Sequence, residues 1–397
     1  MNGDITTFEV ADIFRISGNS YLENHRVTGE QRKAIEDIQN CRTSELGGHT
    51  TICPTCGIID ISYNSCRNRN CPKCGFQKKI KWLYQQKKDG LPITYYHVVF
   101  TLPENLNPLF LFHPNQKLMY QIFFQSVAKT IQVLSETDKY FCGKPGMIAI
   151  LHTWGQTLSF HPHIHCILTG GGLDTSNNTW IDKFEFLFPV KVMARLFRRI
   201  FLQNLFQCIQ KGEVSLPYSM DNEYGKDRFF QELRGKEWIV YCKEPFDNPN
   251  NLIEYLGRYT HRIAISNYRI IDVTENTVSF HYKDYRDNQQ KIMTLEHEEF
   301  IRRFLQHIVP SGFMRIRYFG LLANPCRKKL LPICRLQLRD RMPRLQTLPG
   351  SWQEYYFQIT GQYPGTCKHC KIGIPIILEK IPIKSRDSPI CQNKQSP

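Results

Sequence analysis

His161-Pro-His163-Ile-His165 sets three imidazoles at alternate positions just before or on a strand-like segment. A period of two aims all three at one face and turns Ile164 and Cys166 to the other. Three imidazoles on one face repel once protonated, so a metal ion or a charged partner has to organise them. Downstream, Asn250–His261 reads as a helix opened by Asn248-Pro249, a cap followed by an early-turn proline. Its helical period makes Leu252, Leu256 and Ile263 the packing stripe. Tyr255 and Tyr259 lie one turn apart on the border of that stripe, with Arg258 and Arg262 just beyond. Alone, such a tyrosine pair is an aromatic core edge. Beside arginines and a metal site it gains a chemical use, because a phenol can attack a phosphodiester and hold the cut end covalently. With a pKa of about 10 the phenol needs help, which a divalent ion polarising the phosphate supplies.

A different chemistry is written near the N-terminus. Cys53-Pro-Thr-Cys56 and Cys71-Pro-Lys-Cys74 are two knuckles separated by fourteen residues. Four thiolates so arranged can close a tetrahedral structural zinc site. Cys66, Cys41 and His49 are close enough in sequence to replace a ligand or to build a second site, and spacing does not choose between these. Cys367-Lys-His-Cys370 is half a site by itself, with Cys391 as a conceivable further ligand. Arg67, Arg69, Lys73, Lys78, Lys79, Lys81, Lys87 and Lys88 follow the first cysteines and face one acid, Asp89. Cations on a rigid knuckle suit phosphate contact, with Arg67, Arg69, Lys78, Lys79 and Lys81 the candidates. A second basic run spans Arg315–Arg344.

The whole chain is basic, with 51 Lys and Arg against 36 Asp and Glu in 397 residues, a net +15. That excess favours a polyanionic partner, and DNA is the expected one. No apolar run is long enough for a membrane anchor, and no secretory signal pattern opens the chain. Fifteen cysteines without such a signal point to a reducing compartment and to metal rather than disulfides. A cytoplasmic protein is expected, nucleoid-associated if DNA is its partner.

The elements that must carry these groups alternate. Ile93–Leu102, Met147–His152, His163–Thr169 and Trp238–Cys242 read as strands, Gln116–Leu134 and Val190–Ile209 as helices. The order strand-helix-strand-strand-helix-strand, then the tyrosine helix, matches an α+β ferredoxin-like (split βαβ) sheet. Tyr268–Val273 and Thr277–Lys283 suggest a hairpin, and Glu296–Ile308 a helix. Three parts are expected: a zinc-binding DNA-recognition domain at 1–90 with little core, a nuclease core at 91–290, and a basic C-terminal region at 291–397 that is loose after about Ile383.

The pairing of His163-Ile-His165 with Tyr255-Leu-Gly-Arg-Tyr259 resembles the two-tyrosine members of the His-hydrophobe-His (HUH) endonucleases. More narrowly, the chain resembles rolling-circle insertion-sequence transposases with an N-terminal zinc domain. Tyr63-Asn-Ser-Cys-Arg-Asn-Arg, His152-Thr-Trp-Gly, Glu299-Phe-Ile-Arg-Arg-Phe-Leu and Gly312-Phe-Met-Arg-Ile-Arg add to the likeness. Asn70 departs from it, standing where many relatives have histidine. The resemblance implies a nick in single-stranded DNA that leaves a 5′-phosphotyrosine and a free 3′-OH, followed by strand transfer. It implies Tyr255 and Tyr259 as nucleophiles, and His163 and His165 as ligands of Mg2+ or Mn2+. His161, on the same face, is the expected third ligand. A homodimer is one assembly this reading leaves open. A plasmid replication initiator or relaxase would share the chemistry but lacks the N-terminal zinc domain and the later segments. A catalytically silent zinc-dependent regulator would not need both histidines and both tyrosines. A zinc hydrolase on His161–His165 would want nearby carboxylates and a repeating βα pattern.

Overall fold

Two capped helices open the described chain, α1 (Val10–Asn24) and α2 (Gly29–Gln39). Glu9 and Asp12 form a capping box on α1, Thr28 and Gln31 one on α2, so orphan amides at both starts are satisfied. The computed structural model describes residues 8–137, 142–182, 188–246, 257, 264–344 and 348–384. Among them, β1 (Gly48–Ile52) and β2 (Ile59–Tyr63) lead to α3 (Phe76–Asp89), then β3 (Tyr95–Thr101), α4 (Asn107–Leu111) and α5 (His113–Ser135). A tight pair, β4 (Gly146–Trp154) and β5 (Phe160–Thr169), precedes the ribbon β6 (Gly171–Asp174) and β7 (Thr179–Asp182). After α6 (Val190–Gln210) and α7 (Glu223–Gly235) comes β8 (Val240–Phe246). The rest comprises β9 (Ile270–Val273), β10 (Thr277–Asp284), β11 (Gln289–Glu296), α8 (His297–Leu305), β12 (Ile316–Gly320), α9 (Asn324–Gln337), α10 (Trp352–Thr360) and β13 (Ile376–Ile381). The protein is a mixed α+β chain.

Five strands form the central sheet in the order β12-β4-β5-β3-β8, every neighbour antiparallel. Alternation along each strand splits its faces. Val98, Phe100, Ile164, Cys166, Leu168, Met147, Ala149 and Leu151 point one way into a core with α5 and α6, where Phe123 and Phe197 meet at 5.8 Å. The other face is divided. Ile148, Ile150 and Ile167 pack beneath α9 with Leu331 and Cys334, while His152, His163 and His165 border an open cleft. Strand β12 was not foreseen from sequence; it extends the sheet from Ile316↔Ile150 to Gly320↔Gly146.

A second sheet, β11-β10-β9, carries another core. Here residues 8–90 prove richer in apolar contacts than their sequence pattern suggests. Val10, Ile13, Phe14, Ala34 and Ile35 are fully buried, and they share one cluster with Phe280, Phe300, Ile301 and Phe304. Phe14 and Phe304 meet edge to face at 5.2 Å. The N-terminal helices are thus folded onto residues far along the chain, a long-range pairing that local pattern does not display. Among the described residues no helix is long and apolar enough to cross a membrane.

Phe304 stands at this junction, fully buried against Phe14 and Phe300. Phe304→Ala is expected to cost about 3–5 kcal/mol through lost burial and the cavity left behind. Urea denaturation of the full chain should show it as a lowered midpoint; a midpoint unchanged within error would contradict this packing.

Candidate functional site: a histidine cleft and two cysteine clusters

The register of β4 on β5 sets His152 directly opposite His163, and Ile150 opposite His165. The ligand nitrogens of His152, His163 and His165 all lie within 4.8 Å of one another, close enough to hold one metal ion. His161 lies on the same face and lines the same cleft, but it falls outside this group, its ring 5.3 Å from that of His163. The structure therefore replaces His161 by His152 as third member of the set. His161 stands four places from His165, about 13 Å along the strand, whereas His152, directly opposite His163, is near both. The signal was present in the sequence, since two strands joined by a short connection must pair near their turn.

Burial shapes the chemistry of these rings. His163 is pushed down to about 4, chiefly by desolvation, although its bond to the His161 carbonyl opposes the shift. His165 is pushed well below its ordinary value by burial and by His152, His163 and His97. Both are neutral near pH 7 and present lone pairs. Nδ1 of His163 donates to the His161 carbonyl oxygen at 2.7 Å, which leaves Nε2 facing the cleft as acceptor. Nδ1 of His165 meets Nε2 of His97 at 2.8 Å. His97, buried on β3, was not singled out in the sequence. Trp154 stacks on His152 at 4.8 Å and walls one side.

The cleft encloses about 970 Å³, and its far wall comes from Ala264, Ile265, Ser266 and the β9–β10 region. Arg269 pins that wall by donating to the carbonyls of His281, at 2.7 Å, and Gln156, at 2.5 Å. Lys283 and the exposed rings of Tyr268 and Tyr285 complete the lining. Tyr255, Arg258, Tyr259 and Arg262 lie outside the described residues. Gly257 is described: it is buried, and a Cβ there would run into Leu83 of α3.

The cysteines sort differently from the expected single site. Cys41, Cys66, Cys71 and Cys74 converge with their sulfurs within 4.8 Å, Cys41–Cys74 at 3.6 Å and Cys66–Cys74 at 3.7 Å. Zinc–sulfur bonds of about 2.3 Å in a tetrahedron require sulfur–sulfur edges of about 3.8 Å, so the set fits zinc. Cys53 and Cys56 are not part of it and meet Cys367 and Cys370 instead. Two knuckles of matching spacing suggested one site, but β2 and the loop after it carry Cys71 and Cys74 away from Cys53. Cys41 and Cys66 are ligand candidates, while His49 belongs to neither set. Cys391 lies outside the described residues. Asn70 is buried and takes no ligand position; its side-chain oxygen accepts from the half-buried Arg315 at 3.0 Å.

The basic residues divide too. Arg67 and Lys78 are exposed and line a cleft beside the first cysteine set with Arg42 and Lys73. Arg69 lines the same cleft and is exposed, but its guanidinium also donates to the carbonyls of Phe313 at 2.6 Å, Pro310 at 2.8 Å and Val309 at 3.2 Å. That makes it a tie between the cysteine loop and the β12 approach. Lys81 is exposed and lies over the Trp352 ring at 4.1 Å, and Lys79 is half-buried. Much of the second basic run is paired internally: Arg327 with Asp89 at 3.0 Å, Arg341 with Asp182 at 2.7 Å.

Comparison with known proteins now decides the family. Residues 146–329 match the family described as "Putative transposase", and residues 13–102 match the "Transposase zinc-binding domain". The chain is 39% identical over 379 residues to the protein named "Putative transposase y4qJ" of Sinorhizobium fredii, covering 94% of this chain and 95% of that one. The chain belongs to the IS91/IS801 family of transposases. It is also 29% identical over 318 residues to the transposase for insertion sequence element IS801 of Pseudomonas savastanoi, covering 78% and 75% of the two chains. No solved structure matches it significantly. The zinc-binding region of this transposase contains all of Cys41, Cys66, Cys71 and Cys74.

The contrast between Arg67 and Arg69 is testable on this transposase. Arg67→Ala with Lys78→Ala should weaken single-stranded DNA binding and lower the salt slope by roughly 0.7 per lost phosphate contact. Arg69→Ala should leave that slope alone and lower the thermal midpoint. The reverse pattern would place the DNA against Arg69.

Proposed function

We propose that this transposase nicks single-stranded DNA at the ends of its insertion sequence through Tyr255 and Tyr259, and transfers the strand it holds. The observation that carries the reading is the convergence of His152, His163 and His165 on a cleft whose opposite wall begins at Ala264, just after the tyrosine segment. Support also comes from the strand order β8-β3-β5-β4, with helices following β3 and β5, which is the order of a split βαβ sheet. On this reading the core is the ferredoxin-like HUH fold, extended at one edge by β12. It also makes Tyr255 and Tyr259 the two tyrosines of the HUH pair.

The donor set suits a divalent cation. Three imidazoles, with no carboxylate grouped with them among the described residues, favour Mn2+ over Mg2+. When bound, such an ion would polarise the scissile phosphate and stabilise charge on its oxygens. The chain's own residues do the rest. His152, His163 and His165 would hold the ion, and His97 and the His161 carbonyl fix the rings of His165 and His163. One tyrosine oxygen forms a bond to phosphorus as the bond to the 3′ oxygen breaks. The phenol gives up its proton, and the departing 3′ oxygen takes one. Energy stored in the phosphotyrosine drives rejoining when another 3′-OH attacks. The second tyrosine opens another strand while the first remains held, which is what exchange and rolling-circle movement require. Arg258 and Arg262 are placed here as phosphate contacts, and the exposed rings of Tyr268 and Tyr285 offer faces for unpaired bases.

Incubation with labelled single-stranded element ends and Mn2+ should give a covalent protein–DNA adduct on denaturing gels. His163→Ala should lower adduct formation at least a hundredfold while leaving DNA affinity within about twofold. His152→Ala should do the same, whereas His161→Ala should have the smaller effect. Each single Tyr→Phe variant should fail at complete exchange, and the double variant should form no adduct. An adduct undiminished in Tyr255→Phe, Tyr259→Phe protein would overturn the assignment.

A further inference from the structure

The two ends of the described chain meet in a three-stranded sheet, β13-β1-β2. β1 pairs along its length with β13, from Gly48↔Ile381 to Ile52↔Ile376. This sheet gives no residue to the four clusters of buried apolar side chains found among the described residues. Ile59, Ile61, Ile376, Ile377 and Leu378 are all exposed. A sheet of this size without an apolar core beneath it is marginal, so something else has to hold it.

At its end lie Cys53, Cys56, Cys367 and Cys370, sulfurs within 4.8 Å of one another. Across the two halves, Cys53–Cys370 measures 3.7 Å and Cys56–Cys367 measures 3.9 Å. Those are too long for disulfides and match the edge of about 3.8 Å expected around tetrahedral zinc. Both halves are the same turn. The Gly57 amide donates to the Cys53 carbonyl at 2.8 Å, and the Lys371 amide to the Cys367 carbonyl at 2.9 Å. Gly57 has φ +71 and Lys371 φ 63, the left-handed conformation in each case. A lysine rarely adopts it, and here the turn demands it. Amides of His369 and Gly373 point at the sulfurs of Cys367 and Cys370, each at 3.4 Å, as they do toward thiolates. Where the halves close on each other the chain has Gly373, because a Cβ there would strike the Cys53 sulfur and Thr55.

We propose that Cys53, Cys56, Cys367 and Cys370 bind a second structural zinc ion that fastens the C-terminal segment to the N-terminal zinc-binding domain. The matched zinc-binding region ends at residue 102 and includes only half of this set. None of the four cysteines lines the histidine cleft, so the proposal stands or falls apart from the endonuclease reading. Its consequence is positional. The fastened segment lays α10 along α3, with Tyr355 buried against Ile80 and Leu83 and the Tyr84 hydroxyl donating to the carbonyls of Pro349 and Gly350. Leu83 is also the neighbour of Gly257. The second zinc thereby fixes the helix against which Gly257 rests.

The test is metal stoichiometry on full-length His163→Ala, His165→Ala protein, which removes the competing imidazole site. Direct metal analysis should give two zinc ions per chain, and protein produced with Co2+ should show tetrathiolate absorption for two equivalents. Adding Cys367→Ser and Cys370→Ser, or Cys53→Ser and Cys56→Ser, should leave one equivalent in each case, and combining all four changes should still leave one. Limited proteolysis of the Cys367→Ser, Cys370→Ser chain should then cut within 348–384 while the remainder resists. Cys71→Ser, Cys74→Ser protein should retain one tetrathiolate equivalent, which separates loss of a site from general misfolding. A single equivalent in the parent protein, or two retained without Cys367 and Cys370, overturns the proposal.

Discussion

Everything about the histidine site depends on β5 being an interior strand with antiparallel partners on both sides. Its alternate residues must serve two solvents. Ile164, Cys166 and Leu168 enter the core beneath α5 and α6 and cannot rotate out without exposing that core. That pins His163 and His165 to the opposite face, since a slip of one residue would exchange the two sets. The apolar side of the strand therefore holds the register that the polar side uses. The short β4–β5 connection completes the constraint by bringing His152 across from His163.

A second constraint is that, among the described residues, the segments flanking the site share their cores with distant parts of the chain. α1 and α2 borrow Phe280, Phe300 and Phe304 from residues that follow the tyrosine segment. α3 is enclosed by Tyr355 from the C-terminal region. Arg69 ties the cysteine loop to residues 309–313, and Arg315 reaches back to Asn70. The ends of the chain thus brace the middle. The cations used for this bracing are buried or bound to carbonyls, which leaves a smaller set, Arg67 and Lys78 among it, facing solvent.

These long-range ties explain what could be read in the sequence. The strands β3, β4 and β5 and the helices α5 and α6 announce themselves because each buries a regular face, and period alone reveals them. His163 and His165 follow from the same period. His152 and His97 need register, a property of pairs of strands. The cysteines show the limit most clearly. Spacing finds knuckles but not their partners, and two knuckles of one spacing joined different neighbours because β13 returns to pair with β1. Helices α1 and α2 were overlooked because their apolar faces are short and gain their worth only from distant phenylalanines. Charge alone is silent at Arg69 for a related reason: an exposed cation can also engage backbone carbonyls far along the chain.

Tautomers give the histidine cleft its last requirement. An imidazole binds a cation only through a nitrogen without a proton, so its other nitrogen must carry one and place it somewhere. His163 meets this locally, since the carbonyl two residues earlier accepts from Nδ1. His165 lies between β4 and β3, where the group its Nδ1 meets is Nε2 of His97. For His165 to offer Nε2 to the cleft, its Nδ1 must donate to Nε2 of His97, and the His97 proton then resides on Nδ1. A protonated His97 would have no acceptor to offer, and the two rings would turn donor against donor. Burial disfavours the charged forms of His163 and His165. The same desolvation that would be costly for a charge thus keeps the imidazoles neutral and correctly protonated, so the apolar packing around β5 sets both where the site is and which nitrogen it presents.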